Sequence, residues 1–350
     1  MNSIFQGKKL NLEIFGGSHE PIFGFKLLGF PKTEIDFSKV LADIKRRKPT
    51  SLGTTPRTEK DELIIISGFE NNQTTGDAIE IHFKNENIRK KDYSIFYDHP
   101  RPGHVDYVIR EKYKDEKMIY GSSIFSGRMT LPMVVAGNLC KQALNYEFES
   151  KLVQVGTLTD ISKLDNYLKE VSKKGDSVGG IVEVKVKNVE VGLGGPLFSR
   201  LSAKIAQTVL SIPGTKGIEF GAGFDSTNLL GSKFNDLIID KDGKTKTNNS
   251  GGISGGISNG NAIIVRVSFR PPSSISIPQL TYNFKSNQIE ELVVEGRHDV
   301  AYVRRVLVVV ENMIALALLD EKLWNWKTLV ILEIKLHIYY VKTIFGLHMI

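Results

Sequence analysis

The stretch Ile79–Lys84, which reads Ile-Glu-Ile-His-Phe-Lys, alternates apolar and polar residues without interruption. This period of two is typical of a strand with one buried face and one wet face. Residues 182–187 alternate valines with charged side chains in the same way. Strands of this kind favour antiparallel or mixed sheets that are covered on one side only. His82 falls among the polar positions, so we expect it on the wet face.

Outward from these strands, several stretches have the spacing of helices. Asp36 can cap the first, because apolar residues recur after it at i, i+3, i+4 and i+7 and Pro49 would end it. Others are predicted from Pro132 to Leu144, from Leu197 to Val209 and from near Asp299 to Leu319. Strands that cluster between helices favour an α+β fold over a doubly wound parallel sheet.

Length and composition indicate one compact domain. The chain has 350 residues, of which 41% are hydrophobic and 24% charged, an ordinary balance for a globular protein. The single cysteine, Cys140, excludes an intrachain disulfide and fits a buried position in a cytoplasmic protein. Residues 1–15 have no long apolar core, and charged residues interrupt the apolar stretch 328–350. We therefore expect neither a signal peptide nor a membrane span.

The formal net charge of +7 favours an anionic partner. Nucleic acid, an acidic membrane surface and an anionic substrate would all meet that charge. Nucleic-acid binding usually shows a basic stripe with interleaved aromatic residues. Here the longest basic run is 45–48, and most other arginines stand alone. We expect an anionic small molecule and no nucleic acid or membrane, with nucleic acid as the weaker alternative.

Three loop segments combine turn residues with side chains that hold anions or move protons. Residues 16–19, Gly-Gly-Ser-His, follow a predicted strand, and glycine lets a backbone approach a ligand closely. Residues 46–49 and 54–57 carry arginines suited to phosphate and carboxylate, although a helix C-terminus explains the first group equally well. Residues 101–104, Arg-Pro-Gly-His, place a second histidine after a turn. An exposed loop histidine is the simpler alternative for each imidazole.

Two further segments precede predicted helices. Residues 121–130 carry glycine and hydroxyl residues with Arg128, and such a segment before a helix can hold an anion. Residues 296–299, Gly-Arg-His-Asp, follow the glycine-rich stretch 251–260 and precede the last helix, where Asp299 could also be a simple cap. No metal-ligand spacing and no nucleophile elbow is present. These residues suit anion binding and proton transfer, but they do not by themselves name a reaction.

The ordered motifs resemble the chorismate synthase family. The resemblance extends from about Leu10 to Asp320 and rests on residues 16–19, 54–57, 67–68, 74–76, 85–93, 101–104, 217–224, 251–260 and 296–299. It implies one catalytic domain over residues 1–322 with an atypical tail over 323–350. It also implies a βαβ sandwich with helices outside a central pair of antiparallel or mixed sheets, and a homotetramer.

The resemblance implies a carbon–oxygen lyase that converts 5-enolpyruvylshikimate 3-phosphate to chorismate and phosphate by an anti-1,4-elimination, in aromatic amino acid biosynthesis. The cofactor implied is reduced FMN, with NADPH as a candidate flavin reductant. Of His19 and His104, one would protonate the leaving phosphate and the other would protonate or hold the reduced flavin. Asp299 would help to remove the ring proton through the flavin N5.

The same resemblance implies two sets of binding residues. The substrate and its phosphate would be bound by Ser18, Arg46, Arg47, Arg57, Arg128 and Arg297. The FMN would be bound by Arg47, Phe125, Ser126, Gly127, Pro213, Gly214, Gly255, Arg270, Pro271, Pro272, Ser273, Ser274, Arg297 and His298.

This sequence departs from the family pattern at several positions. The family usually has an acid where Gly17 stands and a glycine where Glu20 stands, and Gly53 lies near a missing arginine. The flavin segment has Ile124 and Phe125 in unusual places. The alternation at 332–338 predicts either an extra strand or a segment outside the fold. An FMN-dependent oxidoreductase with net hydride transfer is the alternative enzyme activity.

Overall fold

The structure is a computed structural model that describes residues 2–49, 59–86, 93–296 and 298–324. Its strands are β1 (Asn2–Gln6), β2 (Asn11–Phe15), β3 (Ile22–Leu28), β4 (Ile64–Ser67), β5 (Phe69–Glu70), β6 (Gln73–Thr74), β7 (Ile79–Lys84), β8 (Glu147–Val155), β9 (Gly180–Lys187), β10 (Thr215–Phe220), β11 (Ile253–Ser254), β12 (Ile257–Ser258), β13 (Ile263–Phe269), β14 (Gln279–Asn283) and β15 (Gln288–Leu292).

The α-helices are α1 (Phe37–Arg47), α2 (Ile95–Asp98), α3 (Asp106–Tyr113), α4 (Thr130–Ala143), α5 (Leu164–Lys173), α6 (Leu201–Leu210), α7 (Gly231–Phe234) and α8 (Val303–Leu323). Short 3-10 segments cover Glu116–Phe125, Gly127–Met129, Ile161–Lys163, Leu197–Ser199 and Gly223–Asn228. The predicted loop 54–57, Gly53, Arg297 and the alternating stretch 332–338 lie outside the described residues.

The first sheet has the strand order β1-β2-β3-β7-β4, and all its pairings are antiparallel. The alternation in β7 is confirmed, because Ile79, Ile81 and Phe83 are fully buried while the residues between them are not. His82 lies on the partly exposed face as predicted, where its Nε2 is 2.6 Å from Glu80 Oε1.

The second sheet has the order β10-β13-β9-β8 and is likewise antiparallel. In β9 the side chains of Val182, Val184 and Val186 are fully buried, which confirms the second alternating stretch. The polar residues between them face the other side. Each sheet therefore has one apolar face that another layer must cover.

Helices α4 and α8 lie between the two sheets. α4 packs against β2 and β3 of the first sheet and against α8, which packs against β8 and β9 of the second sheet. The α+β class and its antiparallel sheets are confirmed, but α4 and α8 lie between the sheets and not outside them as predicted. The physical reason is in α4, whose residues from Thr130 to Cys140 are all buried. A helix that is apolar on every side belongs in the interior.

The contact between α4 and α8 depends on one glycine. A Cβ added at Gly137 would lie 2.4 Å from the carbonyl oxygen of Asn312, far inside van der Waals contact. The two helix backbones therefore approach more closely than any larger residue would allow. The first turns of both helices line the cavity described below.

The predicted helix starts are partly confirmed. Asp36 caps α1, and its carboxylate accepts a hydrogen bond from Ser38 N at 2.9 Å. The third predicted helix is interrupted, because Leu197 has a φ of 49° and residues 197–199 form a separate turn before α6. The last helix begins at Val303, so Asp299 lies outside it and does not cap it.

The end of α8 holds the turn between β1 and β2. The carboxylate of Asp320 accepts hydrogen bonds from the backbone N–H groups of Lys8, Lys9 and Leu10 at 2.9, 2.7 and 2.8 Å. Cys140 is buried in α4, as predicted. The helices of the described ranges include none with the length and apolar content of a membrane span.

Candidate active site

A cavity of about 310 Å³ opens where the first residues of α4 and α8 meet several loops. Its volume is within the range of pockets that bind small molecules. The predicted site residues that line it are Arg47, His104, Phe125, Ser126, Gly127, Pro213, Gly214, Arg270, Pro272, Ser273, Ser274, His298 and Asp299. Ser122 and Thr130, which also line it, belong to the segment 121–130 that the sequence singled out, whereas the remaining lining residues, Tyr302, Arg305, Val306 and Val309, were not among the predicted site residues.

The N-terminus of α4 lies at this cavity, which Ser126, Gly127 and Thr130 line. Ser126 caps the preceding turn, where its Oγ accepts a hydrogen bond from Arg128 N at 3.2 Å. Thr130 Oγ1 donates to the carbonyl of Gly127 at 2.7 Å. Helix N-termini carry partial positive charge and unpaired N–H groups, so this wall of the cavity attracts anions.

Arg47 contributes a buried guanidinium to the cavity wall. Its Nη2 donates to Asp61 Oδ2 at 3.1 Å, and its Nε is buried without a hydrogen-bond partner among the described residues. Burial lowers the pKa of Arg47 to about 10; Asp61 opposes this effect, and the charges of Arg128 and Arg305 add to it. The side chain is still charged at neutral pH, and its unpaired N–H is available to an anion.

Arg128 and Arg46 do not line the cavity. Arg128 forms an ion pair with Asp61, and its Nε donates to Asn85 Oδ1 at 3.2 Å. It therefore lies next to Arg47 and shares its counter-ion. Arg46 turns the other way, and its guanidinium donates to Glu311 at 2.5 and 2.8 Å and to Asp43 at 3.0 Å. Arg46 therefore fits the alternative explanation, a basic residue at a helix C-terminus, while Arg47 is directed to the cavity.

His104 is held on both ring nitrogens. Its Nδ1 is 2.6 Å from Asp106 Oδ1, and its Nε2 is 3.3 Å from Ser122 Oγ. Burial lowers the pKa of this imidazole, the Arg101 and Arg270 charges lower it further, and Asp106 raises it. Asp106 is fully buried at the first position of α3, and its pKa is lowered to about 2 chiefly by hydrogen bonds from Arg101 and His104, against the opposing effect of burial.

His19 reaches the same segment of chain as His104. Ser18 Oγ donates to the carbonyl of Gly121 at 2.7 Å and lies 3.1 Å from His19 Nδ1. A Cβ at Gly121 would be only 1.9 Å from His19 Nδ1. His19 thus packs directly on the residue before Ser122, although neither Ser18 nor His19 is among the residues that line the cavity.

An acidic group stands beside position 17 although residue 17 is glycine. Glu20 Oε1 lies 3.2 Å from the position that a Cβ on Gly17 would occupy. Ser123 Oγ lies 2.7 Å from the same point, so a larger residue at 17 would need this turn to move. Glu20 therefore places a carboxylate beside position 17.

The segment before α8 supplies a carboxylate and an imidazole. Asp299 Oδ2 is 3.3 Å from Nη2 of Arg305, and Arg305 is one of the arginines that line the cavity. His298 Nε2 donates to the carbonyl of Val294 at 2.9 Å. Since Asp299 does not cap the helix, its position at the cavity is not explained by helix capping. Arg57 and Arg297 lie outside the described residues.

The residues missed by sequence reasoning have identifiable signals. Tyr302, Arg305, Val306 and Val309 recur at i, i+3, i+4 and i+7, so they share one face of the start of α8. This helical spacing could have been recognised in the sequence once Asp299 was expected at the site. Gly255 forms the turn between β11 and β12, and neither it nor Pro271 lines the cavity.

Comparisons with known proteins agree with this architecture. A sequence profile of the chorismate synthase family matches residues 10–323. A chorismate synthase of Chitinophaga pinensis is 43% identical over 326 residues, covering 91% of this chain and 96% of the relative. One of Pyrococcus abyssi is 36% identical and covers 91% and 98%. A crystal structure of chorismate synthase has a TM-score of 0.70 at 25% identity. The match covers 90% of this chain and 92% of the chain in that structure.

These relatives match most of the chain and most of their own length. They identify an enzyme of chorismate formation that acts on a small molecule. The motifs at residues 16–19, 101–104 and 296–299, which carried the resemblance, are all within the matched range. The chain belongs to the chorismate synthase family.

Proposed function

We propose that this chain converts 5-enolpyruvylshikimate 3-phosphate to chorismate and phosphate by anti-1,4-elimination, with reduced FMN bound in the cavity. In this reaction the C–O bond to phosphate and one ring C–H bond break, and a new C=C bond forms. The net change is redox-neutral. The observation that carries the proposal is the convergence of His104, Asp299 and the three arginines 47, 270 and 305 on one cavity.

The arginines suit the anionic groups of such a substrate and of a flavin phosphate. Arg47 has a buried Nε–H with no partner in the part of the chain that the structure describes, and Arg305 has Asp299 as a neighbouring counter-ion. Cationic donors fixed around a departing phosphate stabilise the charge that develops as the C–O bond breaks. Because these donors are already oriented by the helices, little reorganisation is needed when the charge appears.

The imidazoles and the carboxylate suit the proton transfers. His104 is buried with a lowered pKa, so its neutral form is populated near neutral pH and can exchange a proton. His19 reaches the adjoining segment at Gly121. We assign one of them to the departing phosphate and the other to protonation at the flavin. Asp299, at the cavity wall, is the candidate group for removing the ring proton.

The residues around the cavity fit a flavin phosphate. The loop Arg270 with 272–274 supplies a guanidinium and two hydroxyl groups, and the N-terminal turn of α4 supplies the partial positive charge of a helix start. Pro213 and Gly214 present a surface without long side chains, and the ring of Phe125 lies nearby. When bound, reduced FMN supplies transient electron donation that leaves no net oxidation.

Anaerobic turnover tests this proposal directly. Purified protein is mixed with dithionite-reduced FMN and 5-enolpyruvylshikimate 3-phosphate, with and without NADPH, and chorismate and phosphate are quantified. We expect equal amounts of the two products and no NADPH consumption in proportion to them. Stoichiometric NADPH oxidation would instead support the FMN-dependent oxidoreductase. Absence of chorismate under these conditions would refute the proposal.

We further propose a homotetramer. Large apolar side chains are strongly exposed on several turns, notably Leu197, Phe198, Phe224 and Leu230, with Phe198 at 93% exposure. Exposed apolar side chains of this size mark protein contacts in many soluble proteins. Light scattering after size-exclusion chromatography should give about four times the mass of one chain, and a monomer at micromolar concentration would contradict the assignment.

A further inference from the structure

Asp106 is the centre of a buried hydrogen-bond cluster behind His104. Its side chain is fully buried, and Oδ2 accepts from Arg101 Nε at 2.7 Å and from the Arg101 backbone N at 3.2 Å. Its Oδ1 accepts from Arg101 Nη2 at 2.9 Å and lies 2.6 Å from His104 Nδ1. Asp106 does not line the cavity, whereas His104 does.

These distances decide which ring nitrogen of His104 carries the proton. Arg101 Nη2 is also 3.0 Å from His104 Nδ1, a distance that by itself would also fit a hydrogen bond from the guanidinium to Nδ1. A carboxylate oxygen 2.6 Å from an unprotonated nitrogen would place two lone pairs against each other. Nδ1 must therefore carry a proton that it donates to Asp106, and Arg101 approaches Nδ1 because both donors converge on Oδ1.

The other ring nitrogen is then available to the cavity. In the neutral ring with a proton on Nδ1, Nε2 is an acceptor. Ser122 Oγ lies 3.3 Å from Nε2, and both Ser122 and His104 line the cavity. A carboxylate on one ring nitrogen and a hydroxyl group on the other is the arrangement by which buried carboxylates orient imidazoles that transfer protons.

We propose that Asp106 is the positioning residue of His104, which fixes the proton on Nδ1 and presents Nε2 to the cavity. It acts through His104 and does not touch the ligand. Its importance for turnover rests on the proposed function, but its effect on the ionisation of His104 does not. Two separate measurements therefore distinguish a failure of this inference from a failure of the proposed reaction.

The first measurement needs neither substrate nor flavin. Hydrogen exchange at the C2 position of each histidine, followed by mass spectrometry against pH, gives the pKa of His104 in the purified protein. In Asp106→Asn the carboxylate that stabilises the imidazolium is removed, so the pKa of His104 should fall by about one unit or more. An unchanged pKa of His104 would overturn the inference, whether or not the protein makes chorismate.

The second measurement uses turnover. In Asp106→Asn we expect kcat to fall about a hundredfold, with little change in KM, because the ring loses its orientation and its fixed tautomer. The limb of the pH profile that His104 controls should move to lower pH. In a His104→Ala background the same change should cost little more, because Asp106 acts only through that ring. A full additional loss of kcat in that background would contradict the assignment.

Two variants control for loss of folding. Asp43→Asn removes a carboxylate that is also buried and hydrogen-bonded, to Asn138, Lys141 and Asn312, but lies away from the cavity. It should lower stability without moving the pKa of His104. If Asp106→Asn does not fold, Asp106→Glu keeps the charge and should hold the pKa of His104 near its wild-type value. A shift as large as one unit in Asp106→Glu would count against the inference.

Discussion

At the scale of single residues, the segment 121–123 stores backbone strain beside both histidines. Gly121, Ser122 and Ser123 have φ values of 56°, 62° and 44°, and only the first is a residue that adopts this region freely. Left-handed backbone costs about 1–2 kcal/mol for other residues. Strain of this kind is often found where the chain must place a group at a site.

Replacing Ser123 by glycine should therefore stabilise the protein. We expect Ser123→Gly to raise the free energy of unfolding by about 1 kcal/mol, since the relieved strain exceeds the added flexibility of glycine in the unfolded chain. Urea denaturation measures the change. Ser126→Gly is the matched control, because Ser126 has an ordinary φ of −68° and should give no gain. Equal effects of the two changes would contradict the strain argument.

The two histidines should both be needed for turnover. We expect His19→Ala and His104→Ala each to slow anaerobic turnover by about a hundredfold or more, as general acid–base groups do, while FMN still binds. Flavin fluorescence measures the binding. His82→Ala is the control, because His82 pairs with Glu80 on the outer face of the first sheet. Near-normal rates in both site variants would remove their assigned roles.

Adjacent arginines at the end of α1 should separate into two functions. Arg47→Ala should raise the KM for the phosphorylated substrate about tenfold or more, because a charged hydrogen bond is lost. Arg46→Ala should leave KM unchanged and lower the free energy of unfolding by about 2 kcal/mol, since Glu311 loses its main partner. A similar rise in KM for both variants would place Arg46 in the binding site after all.

The site residues show how far a sequence can be interpreted. His19 and His104 could be identified because each follows a turn that contains glycine. Positive φ and a close approach of the backbone to its neighbours favour glycine, so such turns can be recognised in a sequence. The choice between Arg46 and Arg47 left no such trace, since neighbours on a helix point about 100° apart. Glu311, which forms an ion pair with Arg46, is 265 residues away in the sequence. Only the fold brings that carboxylate to the end of α1.

At the scale of elements, alternation predicted β7 and β9 because each keeps one polar face. The position of α4 between the sheets was not predicted, because the period of a helix does not say which layer covers it. The run 131–140, which contains no charged residue and only one polar residue, Asn138, was the sequence signal that could have placed it inside. The starts of α6 and α8 were set by backbone conformation at Leu197 and Tyr302, which propensity alone does not fix.

The hydrogen bonds between α8 and the turn that joins β1 and β2 should contribute measurably to the stability of both elements. Asp320→Ala leaves three backbone N–H groups without their acceptor, and we expect a loss of about 2–4 kcal/mol in unfolding free energy. Amide hydrogen exchange should rise first in β1 and β2. Asp320→Asn keeps one acceptor oxygen and should lose less. An unchanged exchange rate in the hairpin would show that this link is not stabilising.

At the scale of the whole molecule, the catalytic domain should end near residue 323. The family profile ends there, and α8 ends at Leu323. We expect a chain that stops at residue 324 to keep its thermal midpoint within a few degrees and its anaerobic turnover within about twofold. Calorimetry and the chorismate assay measure the two. Loss of FMN binding in the shortened chain would show instead that the tail belongs to the domain.

The central place of α8 between the sheets also bears on biosynthesis on the ribosome. The second sheet precedes α8 in the chain, yet its apolar face is covered in part by this late helix. A nascent chain that has not reached residue 303 therefore carries a partly uncovered apolar surface on that sheet, which invites aggregation. We expect this surface to be protected only once α8 has been synthesised and has packed against β8 and β9.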